Sequence, residues 1–127
     1  MTTDDQTHAA ELDRARATLN EAGAARLERR PWEHPRQPRS DTDLVRFAVW
    51  AGDAEDTGPA VLEAGLRLLA SARVELDQIE AGLLFAARGS GMTWPHIAEA
   101  LGLGSAQAAQ QRLNRVASRA GDRDAEA

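Results

Sequence analysis

The sequence predicts an all-α chain: a helical N-terminal region, then a long helix leading into a C-terminal unit of three helices. Three observations predict it. Apolar residues recur at steps of three and four through most of the chain. Only one short stretch alternates as a strand would, and no second strand is available to pair with it. Aromatics make up 4% of the residues, so a core must be built from Ala, Leu and Val, a stock that suits closely packed helices and leaves little room for a large ligand pocket.

The bulk numbers bound the rest. The 127 residues suffice for one modest domain, or a small domain with a helical extension, and a hydrophobic share of 43% is too high for a wholly disordered chain. There is no Cys, which excludes disulfides and thiolate metal sites. No apolar run reaches the length of a bilayer span, and the opening MTTDDQTH lacks the basic start and apolar stretch of a signal peptide, so a cytoplasmic location is expected. The formal net charge of −5 weighs against indiscriminate binding to polyanions. A local basic face can still dominate at contact distance.

Element by element, residues 7–30 read as a first helix with Leu12, Ala15, Leu19 and Ala22 on one narrow stripe. Residues 31–40, PWEHPRQPRS, carry three prolines and form a linker. Arg29, Arg30, Arg36 and Arg39 make this region basic. It reads either as an arm for a DNA minor groove or as a solvated tether with Trp32 packed on the body. Ser40 followed by Asp43 has the form of a capping box with Asp in place of Glu, and Leu44, Phe47, Ala48 and Ala51 then share a helical face that Gly52 can end. Val45, Phe47 and Val49 alternate here, but helix is favoured for want of a pairing strand. GDAEDTG is a polar, acidic loop.

Pro59 suits the first turn of a long helix reaching about Arg88. Leu62, Gly65, Leu69, Ala72, Leu76, Ile79, Leu83 and Ala86 form an unbroken heptad seam, with a break near Ser71 into two helices as the alternative. Leu66, Leu68, Leu84 and Phe85 widen the apolar surface, so this helix is expected to meet more than one partner. Leu62, Leu69, Leu76, Ile79 and Leu83 are the candidate contacts with a second copy of the chain.

ARGSGM stops that helix, and residues 91–120 carry the most information. Thr93 can cap a helix with Trp94 and Pro95 in its first turn, where a missing amide does no harm. Ile97, Ala98 and Leu101 form its inward face. Gly102 supplies a left-handed residue, Leu103 an apolar plug, and Ser105 the cap of the last helix. The inward face of that helix is Ala109, Leu113 and Val116, extended by Ala106 and Ala120. If Ala109 is the buried position, the turn is one residue longer than its tightest form. If Ala108 is buried instead, the turn has standard length but Leu113 fits less well.

An aromatic, then IAEALGL, a small polar cap and QAAQQR resembles the helix-turn-helix of small actinobacterial transcriptional regulators, and is similar to sigma-factor region 4 domains. An Arg-only, Ala-rich composition accords with a GC-rich genome. The resemblance covers roughly residues 72–118 and none of residues 1–58. It implies a three-helix unit whose last helix reads DNA, often in a homodimer.

The outward residues suit that chemistry. Gln107, Gln110, Gln111 and Asn114 can donate and accept at base edges, and Arg112, Arg115 and Arg119 can reach phosphate or guanine. Residues 105–120 hold those three Arg and no acid, a local charge of +3. Thr93 and Ser105, at helix N-termini, are candidate phosphate contacts. The plainer alternative is a solvated Gln/Arg face on an α-bundle. His8, His34 and His96 are scattered, and no nucleophile motif or phosphate loop is present, so neither a catalytic site, a metal nor a cofactor is expected.

The expected organisation is residues 1–58 as N-terminal helix, linker and short helix, 59–120 as long helix plus helix-turn-helix, and 121–127 as a disordered tail. The expected function is a DNA-binding regulator of the nucleoid, working as a homodimer with half-sites about one helical turn apart or a multiple of it. A DNA-coating nucleoid-associated protein and a helical module binding another protein, such as a sigma factor, are the alternatives.

Overall fold

The structure, a computed structural model, describes residues 2–126 except Trp32, with side chains described from Thr3 to Arg119. Among the described residues it is all-α: α1 (Thr2–Ala22), α2 (Asp41–Gly52), α3 (Pro59–Arg67), α4 (Leu69–Gly89), α5 (Trp94–Leu101) and α6 (Ala106–Glu126), with a 3-10 turn at Ala24–Arg26. None of these helices is long and apolar enough to cross a membrane. The chain divides into two compact units, Met1–Arg73 and Val74–Ala127.

In the first unit α1, α2 and α3 pack on one another around Leu12, Ala15, Leu19, Leu44, Phe47, Ala48, Ala64 and Leu68. The α1 stripe is as expected at Leu12, Ala15 and Leu19, but the helix starts earlier than residue 7 and stops at Ala22, which is exposed. It stops because Gly23 takes φ +144°, a conformation that side chains rarely adopt, and the Phe47 ring lies against it. Ser40 caps α2 as expected: its hydroxyl oxygen accepts from the Asp43 amide at 3.1 Å. Val49 and Trp50 point to solvent, so α2 has the one-sided burial of an amphipathic helix, not a strand.

The heptad seam does not run through a single helix. Leu68, wholly buried in the first core, separates α3 from α4, three residues before the break weighed at Ser71. Gly65 serves packing within the unit: a Cβ there would come within 2.6 Å of the Ala48 Cβ, so α3 and α2 cross at two small residues. Leu62 lies over Gly52 in the same way. Since α3 packs on α1 and α2, the boundary expected at 58/59 falls at 73/74 instead. The segment expected as a disordered tail is helical to Glu126, continuing α6.

A buried charge ties the first unit together. Asp41, 4% exposed, accepts from Arg16 Nε at 2.8 Å and from a second Arg16 nitrogen at 2.9 Å, and the Ser71 hydroxyl donates to the same carboxylate. Its carboxylate holds the Arg16 guanidinium above its ordinary pKa, chiefly through the hydrogen bond, against the opposing effect of burial. Removing one member of such a set leaves the others desolvated without a partner. Asp41→Ala is therefore expected to destabilise the chain by about 3 kcal/mol, measured by urea unfolding followed by circular dichroism. A change near zero would show that the network does not hold the unit.

Candidate nucleic-acid interface

The second unit is built by α5, α6 and the part of α4 from Val74 onward. Its core joins Ala81 and Leu84 of α4 to Ile97 and Ala98 of α5 and Ala109 and Val116 of α6. Leu84 is therefore core, while Leu76, Ile79 and Leu83 are 53%, 55% and 67% exposed. The loop after α4 is closed by Arg88, which donates to the Met92 carbonyl at 2.8 Å and lies over the Trp94 ring at 4.8 Å. That cation–π contact has no counterpart in the sequence pattern. Trp94, half-buried, packs on the core.

The turn grammar is present in detail. The Thr93 hydroxyl oxygen accepts from the His96 amide at 3.2 Å, and Pro95 occupies the first turn of α5. Gly102 takes the left-handed conformation, φ +73°, and the Leu103 amide donates to the Ala98 carbonyl at 2.8 Å. The Ser105 hydroxyl oxygen accepts from the Ala108 amide at 3.1 Å. Ala98 is buried where α6 packs on α5, and Leu103 is half-buried against the core. Ala109 is fully buried and Ala108 only partly, which selects the longer turn. Leu101 departs from expectation: it is 37% exposed, at the last residue of α5. Ala120 lies outside the described side chains.

Burial of Ala109 and Val116 decides which side chains face outward. Gln107, Gln110, Gln111, Asn114 and Arg115 are exposed, and none of them hydrogen-bonds through its side chain to the other described residues. Their donors and acceptors stand open on one side of α6. Thr93 and Ser105 are exposed too; each uses its hydroxyl oxygen as an acceptor in its cap and keeps its O–H to donate.

Arg112 and Arg119 do not join that face. Arg112 donates to both carboxylate oxygens of Glu80 at 2.9 and 2.7 Å, and Arg119 pairs with Asp77 at 3.2 Å. The Glu80 hydrogen bond, with its charge, holds the Arg112 guanidinium above its ordinary pKa. The local +3 is thus largely neutralised across α4, leaving Arg115 as the α6 guanidinium without an ion pair among the described residues. Glu80 and Asp77 were not legible as partners, because nothing local links positions 77 and 80 to 112 and 119.

The linker is also more folded than an extended arm. Arg29 donates to the Gln37 carbonyl at 2.7 Å, Arg39 donates to the carbonyls of Ala25, Leu27 and Glu28, and both approach Glu33. The packing expected of Trp32 lies outside the described residues. No family model matches the chain, and neither a curated protein nor a solved structure does.

If the left-handed turn fixes how α6 leaves α5, Gly102→Ala should lower the stability of the second unit by about 1 kcal/mol through backbone strain alone. Nothing lies within 4 Å of the added Cβ, so no clash contributes. Thermal melts of residues with amide exchange resolved in α5 and α6 measure this. An unchanged melt would mean that the turn is not the constraint.

Proposed function

We propose that the chain is a DNA-binding transcriptional regulator that lays α6 in the major groove. One observation carries this reading: a capped helix, a left-handed glycine turn and a second capped helix present four open amide side chains on a single outward face. An amide can bond an adenine edge at two points, and Arg115 can meet the adjoining phosphate or a guanine. The two helix N-termini, at Thr93 and Ser105, supply further donors to phosphate. On this reading the protein works in the nucleoid.

A homodimer through α4 belongs to the same proposal. Leu76, Ile79 and Leu83 lie on its exposed side, away from Ala81 and Leu84. Burying them would supply about 1–2 kcal/mol each. Of the five residues first assigned to this contact, Leu62 and Leu69 belong to the first unit, with Leu62 over Gly52, so the proposed contact narrows to the other three. The exposed stripe and the neutralised arginines also favour a second reading, in which α4 binds another protein and α6 reads nothing. With Arg115 the one α6 guanidinium without an ion pair among the described residues, a DNA-coating role is the less favoured of the DNA readings, since coating relies on many phosphate contacts.

Fluorescence anisotropy of labelled GC-rich duplexes and genomic fragments tests the proposal. The wild type should bind with a wide spread of affinities, and Gln111→Ala/Arg115→Ala should bind at least tenfold more weakly, a loss of about 1.4 kcal/mol or more. Absence of binding at low salt would favour the protein-binding reading. In sedimentation equilibrium, Leu76→Glu/Leu83→Glu should convert a dimer into a monomer with its helicity retained. A wild type that is monomeric at every concentration, free and on DNA, would contradict the dimer.

A further inference from the structure

Arg112 and Arg119 are seven residues apart, so they lie on nearly the same flank of α6, and both are held by acids one turn apart on α4. Arg115 lies between them in sequence but about 60° further round the helix, toward the amide face. What α6 otherwise offers α4 and α5 is small or smooth: Ala109, Leu113 and Val116. Such an apolar surface resists separation of the helices better than it resists rolling of α6 about its own axis. Rolling matters, because about 20° at a radius of about 6 Å moves a side-chain tip by about 2 Å. That displacement is enough to lose a base-edge hydrogen bond.

Resting on the DNA-binding reading above, we propose that Arg112 and Arg119 are positioning residues that fix the roll of α6, and that Arg115 is the α6 guanidinium that meets the phosphate backbone. Glu80 and Asp77 are about three-quarters covered, with side chains 24% and 23% exposed. If Arg112 left Glu80 for a phosphate, a largely covered carboxylate would lose both its bonds. A two-point guanidinium–carboxylate contact is also the geometry that fixes direction as well as distance. The pair therefore stays closed on DNA, and the reading set is Gln107, Gln110, Gln111, Asn114 and Arg115.

The test is anisotropy of a fluorescein-labelled GC-rich duplex over a salt series, with helicity followed by circular dichroism. Arg115→Ala should flatten the slope of log K against log salt by about 0.9, the value for one phosphate. Glu80→Gln, which leaves Arg112 in place, should weaken binding and keep the wild-type slope. Arg112→Glu should bind poorly, and the exchanged pair Glu80→Arg/Arg112→Glu should recover most of the lost affinity, since the flank is again clamped. Two results would overturn the assignment: a steeper slope in Glu80→Gln, as a released Arg112 reaches phosphate, or an exchanged pair that folds and binds no better than Arg112→Glu alone. A wild type that binds no duplex at low salt would overturn the DNA-binding reading itself, and this assignment with it.

Discussion

Gly102 holds φ at +73°, and the amide that follows it, of Leu103, bonds back to the Ala98 carbonyl, so the chain leaves α5 in one direction. The rest of the second unit depends on that exit. Ala98 must be small where α6 crosses, Ala109 and Val116 must be buried, and the opposite side of α6 is left to solvent. The outward set of amides is a consequence of the turn, not an independent feature. An exposed row of Gln residues on an isolated helix would mean little. Here the row is held on a helix that is capped at its start and pinned against two others.

Charge acts at a second level. The three α6 arginines that give residues 105–120 their positive balance are not equivalent. Two of them close onto α4 and only Arg115 stands with the amides. Under the proposed function the unit would rely on shape and hydrogen bonding more than on its field, in keeping with a chain whose net charge is −5. Weak attraction to phosphate would then make a second reading helix valuable, and the exposed α4 stripe of Leu76, Ile79 and Leu83 is where a second copy would be held. The first unit is built on other terms, with one buried carboxylate joining α1, α2 and the start of α4.

What was legible in the sequence was what local chemistry decides. The caps at Ser40, Thr93 and Ser105, the left-handed Gly102 and the buried faces of α2 and α6 each depend on residues within a turn or two. What escaped depends on distant partners. The heptad seam runs on past position 68, from Gly65 to Leu69, yet the helix breaks at Leu68, whose side chain the first core takes. Arg112 and Arg115 differ only in where α4 lies, and α4 is more than twenty residues away in sequence. The close of α1 at Gly23 was masked by the helical spacing of its alanines and shows only with Phe47 packed against it. The two candidate turn registers were likewise resolved only by which alanine the neighbouring helices bury.

The most direct test of the account is to watch the amide side chains themselves. In ¹⁵N-labelled protein titrated with a bound duplex, the side-chain NH₂ signals of Gln107, Gln110, Gln111 and Asn114 should shift together, while the Trp50 indole signal of the first unit stays in place. Shifts confined to the first unit, or amide signals unmoved by a duplex that demonstrably binds, would contradict it.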